Sequence, residues 1–486
     1  MRFTILFLLL FSSASSNAQL QNTWMTGHFL NPIYPKGGID FSSGSADTFS
    51  LFRDMPFLNT NSMICDSVGN LLFYTNGIYI ANSNHDTLLN SENFNPGYSS
   101  TVSWYGLNIL QGLVIIPNPG NHDQYFILHT SSELFSDGVN NQYQPFNLSY
   151  SLVDIALDSG KGGVISNKKN ILLINDTLTL GHITATKHAN GRDWWLLIHR
   201  YQSDLFYKIL VTPDTIQVMQ QNIGLVLTDD FWGQAAFSTD GSNYALFTDH
   251  SLELYDFDRC TGDLSYHRNL HFPDSIVYKT GLSFSPNSRF LYANTQTNIY
   301  QYDLYSTNID SSVQLIAEWD TAYLPFATIF FNNQLAPDGR IYIGTFNGDE
   351  ILHYINYPDS LGINCNVVQN NFYLPSRNAS IPTYPNYQLG RLIGSPCDTL
   401  SLGITEESIN FQFSIYPNPG NGNFTFEFND NYSGDFIITN LLGEIMKTGT
   451  FENTRMVQCE IEGSSGVYFV NVNTGKTVLN LKLVKS

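Results

Sequence analysis

FSTDGSNYALFT at 237–248, FSPNSRFLYANT at 284–295 and LAPDGRIYIGTF at 335–346 are three versions of one sentence. Each is a turn rich in Gly, Asn, Asp, Ser or Pro that opens directly into a dense aromatic or aliphatic strand. Three more lie upstream: CDSVGNLLFYTN (65–76), PNPGNHDQYFILHT (117–130) and KHANGRDWWLLIHR (187–200). With Gly69, Gly120, Gly191, Gly241, Ser288 and Gly339 as markers, the spacings are 51, 71, 50, 47 and 51. The one long interval holds SSELFSDGVNNQYQPFNLSY (131–150), which reads as an insertion into a single repeat.

A period near fifty with several short strands per unit is the signature of a β-propeller. Second hairpins within a unit are clearest in LELYDFDRCTGDLSYHRNL (252–270) and NIYQYDLYSTNIDSSVQLIAEW (298–319). A four-stranded blade with two apolar faces cannot cover both alone; a ring of blades covers every face and leaves only short edges. The expected fold class is therefore all-β, a propeller over 19–397. Six markers give six blades. A seventh is assembled from INCNVVQNNFYLPSR (363–377) and NYQLGRLI (386–393), closed by strands around TGHFL (26–30) and GGIDF (37–41). Seven is preferred, with six or eight compatible with the same period.

Composition agrees and narrows the function. The 486 residues carry 22 Lys+Arg against 42 Asp+Glu, a formal net charge of −20, and only 13% charged residues against 14% aromatics. Nucleic acid is excluded as a partner, because affinity for phosphate backbones comes from Lys and Arg displacing counterions. A polybasic grip on anionic lipid is excluded on the same ground.

The two ends differ from the middle. MRFTILFLLLFSSASSNAQ opens with Arg2, an apolar run from Phe3 to Phe11 and a small-residue cleavage site at Ser16-Asn17-Ala18, so 1–18 reads as a signal peptide. That run is too short to span a bilayer, no Cys follows it to carry a lipid, and no later segment is long enough to cross a membrane. Residues 398–410 (DTLSLGITEESIN) are polar and read as a linker. From 411 to 486, alternating apolar residues between Asn, Gly and Pro turns predict a small Ig-like β-sandwich.

This last segment resembles the type A sorting domain of the Bacteroidota type IX secretion system. The resemblance rests on Tyr416-Pro417-Asn418-Pro419 at the domain start, the Asn440-Leu441-Leu442-Gly443 turn, Gly466-Val467-Tyr468 before a strand, and Lys482-Leu483-Val484-Lys485 at the end. It departs from the family only in closing on Ser486, where a basic residue is frequent. The resemblance implies export to the periplasm, then transport across the outer membrane by the type IX machinery. It implies a cell-surface or extracellular destination, with release or attachment to surface lipopolysaccharide. More loosely, 20–397 looks like the propeller modules of Bacteroidota gliding-motility-associated surface proteins, through GNLLFYTNG (69–77), ITATKHANGRDWWLLIH (183–199), the FSTDG and FSPNS pair, LAPDGRIYI (335–343) and PNYQLGRLIGSPCD (385–398). That likeness implies a fold and no chemistry.

Catalytic, metal and cofactor motifs are not found: there is no HExxH, no Cys-x-x-Cys and no phosphate loop around GKGG (160–163). DFDRCTGD (256–263) starts like a calcium loop, but Cys260 and Gly262 break its ligand spacing, and a hairpin turn is the better reading. His188 and His199 flank WWLLI, with Arg192 and Asp193 in the preceding turn; structural roles are expected for both histidines. Among five cysteines, Cys365 and Cys397 bracket the expected ring closure and are the candidate disulfide, while Cys65, Cys260 and Cys459 have no evident partner. Asp-Ser/Thr followed by a small or aliphatic residue recurs, making Ser67, Thr87, Thr177, Thr215, Ser275, Thr321, Ser360 and Thr399 candidate O-glycosylation acceptors; such pairs also make turns into strands. The function expected is a non-enzymatic exported binding platform for a glycan, protein or surface component. Two alternatives stay open: a lactonase- or lyase-like propeller enzyme, and a structural or adhesive part of a gliding apparatus.

Overall fold

The computed structural model describes residues 19–28, 34–103, 105–136, 141–227, 233–274, 278–398, 413–440, 444–474 and 478–486. The expected leader (1–18) and all of the expected linker but Asp398 lie outside them. The chain divides into two compact units, Met1–Thr399 and Leu400–Ser486.

In the first unit, seven antiparallel sheets follow one another along the described residues, beside one inserted hairpin. Sheets four to seven are four-stranded meanders. They begin with Thr184–Lys187, Gly233–Phe237, Lys279–Phe284 and Phe330–Leu335. Sheets one and two have three strands each, starting with Thr23–Thr26 and Ser62–Cys65. The third, starting with Leu113–Asn118, is the one carrying the insertion, a hairpin of Glu133–Ser136 and Asn141–Gln144. Successive first strands lie side by side around an axis in most of the ring, which is the propeller arrangement.

Strand alternation explains why the sheets stack. In Asn243–Thr248 of sheet five, Tyr244 and Leu246 enter a core shared with Trp195, Leu197 and Phe206 of sheet four. Ala245 and Phe247, on the other face, enter one shared with Leu282, Leu291 and Ala293 of sheet six. Phe290 and Tyr292 then meet Ile341 and Ile343 of sheet seven. Each such side chain taken out of water contributes roughly 1.5–3 kcal/mol, and both faces of the second strands of sheets five to seven collect it. The ring closes where fully buried Trp24 and Phe41 of the N-terminal region meet the Tyr342 ring edge-on, at 5.8 and 5.9 Å between centroids.

The closing blade differs from expectation. Val367–Asn378 is the fourth strand of sheet seven, paired with Asp349–Ile355, and the N-terminal strands form a sheet of their own. Residues 386–393 form no strand. Pro382 and Pro385, which offer no N–H to a ladder, divert the chain after Asn378 into the channel instead.

There the segment 379–392 runs along the first strands as a plug. Asn332 Nδ2 donates to Ile381 O (2.8 Å) and Ile381 N to Asn332 Oδ1 (3.2 Å). Tyr384 N donates to Gln334 Oε1 (2.8 Å), Asn386 Nδ2 to Thr239 O (2.7 Å) and Leu392 N to Ala189 O (2.7 Å). The Tyr384 and Tyr387 hydroxyls reach Thr23 O (3.3 Å) and Ile115 O (2.7 Å). Side-chain amides join the remaining inner edges. Gln111 exchanges two 2.8 Å bonds with the backbone of Ala235. Gln234 donates to Asn333 O (2.7 Å) and accepts from the N–H groups of Leu282 (3.1 Å) and Asn333 (3.0 Å).

In the second unit, Asn423–Asn440 and Ile445–Glu460 are long strands whose pairing shifts register midway. The first half of Asn423–Asn440 pairs with Phe413–Tyr416 and the second with Gly466–Asn473, giving a sandwich-like fold around Phe424, Phe426, Phe436, Ile438, Val470 and Leu483.

Replacing Gln111 by Leu, of similar volume, leaves the N–H and C=O of Ala235 buried without partners. The expected loss is about 2–4 kcal/mol of propeller stability in a denaturant titration; an unchanged midpoint would contradict the amide's role.

Candidate functional site: the channel mouth

Because the plug fills one side of the channel, a cavity of about 250 Å3 remains on the other. It opens where the first strands of sheets five to seven turn back into their second strands, at Thr239, Pro286 and Pro337. The turns of sheets five and six are built alike. Ser238 Oγ donates to Asp240 Oδ1 (2.6 Å) and Asn243 N to Ser238 Oγ (2.9 Å). Ser285 Oγ donates to Asn287 Oδ1 (2.7 Å) and Phe290 N to Ser285 Oγ (2.9 Å). Gly241 and Ser288 both take positive φ, 73° and 60°, at the markers read from the sequence.

The polar lining is Gln21, Gln111, Gln234, Asn333, Gln334, Asn386 and Gln388, with the hydroxyls of Thr184, Thr239 and Ser283. Phe237, Phe284 and Tyr384 supply ring surface. No carboxylate, imidazole, ammonium, guanidinium or thiol stands among the lining residues. Burial pushes the Tyr384 phenol well above its ordinary range, so it stays a neutral hydroxyl.

Two of these residues, Thr184 and Gln234, belong to a column that recurs in the sequence. Seven positions before each turn marker stand Ser62, Leu113, Thr184, Gln234, Gly281 and Asn332. Five of the six are polar or Gly at one register of the first strands, a column facing the axis. Gly281 fits it because a Cβ there would meet Phe331 O at 2.4 Å.

The residues singled out from sequence lie elsewhere. His188 accepts from Asn190 N at Nδ1 (3.0 Å) and donates from Nε2 to Cys260 O (3.0 Å). Arg192 pairs with Asp193 at 2.7 Å, and buried His199 packs edge-on against Phe206. None lines the cavity. Cys365 and Cys397 are not brought together: Cys365 is fully buried with its thiol against Tyr292, and Cys397 lies beside Cys260. Of the glycosylation candidates, Ser67, Thr87, Thr215 and Thr321 are exposed and Thr177 and Ser360 half-buried, while Ser275 and Thr399 lie outside the described residues. Among the described residues no group of three His, Cys, Asp or Glu could hold a metal ion, and no helix is long and apolar enough to cross a membrane.

In the second unit the sorting motifs converge. Asn418 donates from Nδ2 to Lys482 O and accepts at Oδ1 from Val484 N, both at 2.8 Å. Lys485 Nζ donates to the carbonyls of Ile461 and Gly463, both at 2.8 Å. Gly466 pairs with Lys485, and the Tyr468 hydroxyl donates to Ser464 O (2.7 Å). Tyr416 is half-exposed, with Pro417 and Pro419 beside it; Gly443 lies outside the described residues.

Residues 414–486 match the family model described as the secretion system C-terminal sorting domain. No curated protein matches the sequence. Solved structures similar to the chain include a proposed 6-phosphogluconolactonase from Bacteroides uniformis, at 11% identity and TM-score 0.44 over 74% of this chain and 99% of that one. The β-propeller domain of Cps50 (Swd1) from Myceliophteria thermophila aligns at 10% identity and TM-score 0.39, over 67% and 94%. Apo AztD from Citrobacter koseri aligns at 10% and 0.38, over 74% and 96%. The C-terminal unit is a type A sorting domain of the type IX secretion system, which directs export to the cell surface or beyond it.

The buried histidines set an acid limit. Desolvation pushes His129 and His182 down to about 3 and His199 and His353 down to about 4. Unfolded, each titrates near 6.5, so between about pH 6.5 and 4 the unfolded chain binds more protons and stability falls with falling pH. By pH 5 the loss is roughly 1–2 kcal/mol per imidazole. Calorimetric Tm is expected to be level from pH 7.5 to about 6.5 and to drop below it, and His182→Gln to remove about a quarter of the drop.

Proposed function

We propose that the propeller is an exported binding module whose channel mouth holds one neutral, polyhydroxylated group, the terminal residue of a glycan. The observation that carries this is the lining: carboxamides and hydroxyls that both donate and accept, beside aromatic faces, with no charged side chain. Sugar hydroxyls also donate and accept, and their C–H faces stack on rings; an anionic ligand would require Lys or Arg, which the lining lacks. At about 250 Å3 the cavity is smaller than the roughly 300–1,000 Å3 of sites for drug-sized ligands, and so suits a single ring. The chain belongs, in this reading, to a Bacteroidota bacterium that removes 1–18 on export and presents the propeller outside the cell.

A glycan array probed with the full exported chain is expected to return neutral saccharides sharing one terminal residue. Ser283→Ala and Gln388→Ala, at the mouth, should each weaken that binding about five- to tenfold. Binding confined to charged glycans, or indifferent to both substitutions, would rule the site out. Separately, a chain lacking 414–486 is expected to accumulate in the periplasm; its appearance in the medium would refute the sorting role.

A further inference from the structure

The far end of the plug is held at one place in the ring. Arg259 donates to the carbonyls of Lys187 (2.9 Å), His188 (3.2 Å) and Gly390, and Leu392 N donates to Ala189 O. The residue after Arg259 is Cys260, at the tip of a turn between strands of sheet five. Its N–H donates to Asp258 Oδ1 (2.7 Å), Gly262 N donates to Asp258 O (2.7 Å), and its own carbonyl accepts from His188. Beyond the plug, Ser395 N donates to Leu392 O (3.1 Å), Asp398 N to Ser395 O (3.0 Å) and Gly394 N to Asp398 Oδ2 (3.2 Å). This second fixed turn carries Cys397. The two turns bring Cys260 and Cys397 beside each other, and both residues are partly open to solvent. Cys65, Cys365 and Cys459 are buried.

We propose that Cys260 and Cys397 form a disulfide in the exported protein, a covalent latch that fixes the plug in the channel. The two thiols give up two protons and two electrons as the S–S bond forms. The electrons pass, by thiol–disulfide exchange, to a disulfide oxidant that leaves as a dithiol. The cytoplasm keeps such pairs reduced and the periplasm oxidises them, so the latch closes only after the chain has left the cell interior. Burial and the neighbouring Cys260 push the Cys397 thiol up to about 11, which favours the thiol over the thiolate at that residue. The bond would close a loop containing sheets six and seven and the whole plug, a long loop whose closure restricts the unfolded chain strongly.

The test uses the full chain, purified reduced and then oxidised with glutathione disulfide. Free thiols, counted after unfolding, are expected to fall from five to three, and a digest without reductant should contain a cross-linked pair of peptides carrying Cys260 and Cys397. Cys260→Ser and Cys397→Ser should each abolish the cross-link, whereas Cys365→Ser should keep it. Dithiothreitol should lower the Tm of the oxidised chain by about 5 °C and leave that of the Cys397→Ser chain unchanged. Recovery of Cys260 and Cys397 as free thiols after oxidation, or of either linked to another cysteine, overturns the pairing.

Discussion

The inner edge of a radial sheet is the constraint on which the first unit depends. Each first strand has a partner on one side only, and the groups it leaves on the other face the channel. The molecule answers with side chains and with itself. Gln234 alone joins sheets five, six and seven, because one carboxamide can donate to Asn333 O while accepting from Leu282 N and Asn333 N. Gln111 does the same for Ala235. What amides do not reach, segment 379–392 does, bonding to Asn332, Gln334, Thr239 and Ala189 in turn. Because unpaired buried backbone costs more than a hydrogen bond returns, this sealing is a condition of the ring and not an ornament to it.

The turns and the strands that follow them were readable from sequence, and the sealing of the inner edge was not, for one physical reason. Burial of both faces writes itself locally, as FLYANT or YALFT behind a turn, since alternate residues of one strand meet different neighbours. The turns are equally local: Asp240 and Asn287 accept from Ser238 and Ser285 two residues away. The plug has no such local partner. Tyr384 and Tyr387 bond to Thr23 and Ile115, hundreds of residues distant in sequence, and no periodicity in 379–392 reports it. From sequence a blade strand was expected at 386–393, where the chain is part of the plug and forms no strand. The sequence paired Cys397 with Cys365, the wrong partner; its actual neighbour, Cys260, could not be read, because the plug decides which turn Cys397 reaches.

The second unit shows the opposite case. Its motifs are short and far apart in sequence, yet the first and the last of them belong to one contact. Asn418 reads the backbone of Lys482 and Val484, and Lys485 reads that of Ile461 and Gly463. An Asn side chain that both donates and accepts can bridge a strand edge as a peptide would, and a terminal ammonium can satisfy two carbonyls at a strand end. Those are requirements of residue type at fixed positions, which is what a sequence motif records.

Placing the plug also decides what kind of site the channel can be. An open channel of seven inner strands would be a water-filled bore, with its ligand chosen by whatever titratable groups lined it. Once the chain occupies one side, the remaining space is bounded by groups already committed to sealing edges, and those are amides and hydroxyls, because charged side chains could not be buried there without partners. Neutrality of the lining is thus a consequence of the sealing. The shape of the cavity is likewise set by Tyr384 and Pro385 on the plug as much as by Gln234, Ser283 and Asn333 on the ring. A binding site made this way is only as rigid as the segment that closes it, so fixing the plug's far end beside Arg259 is, physically, part of building the site.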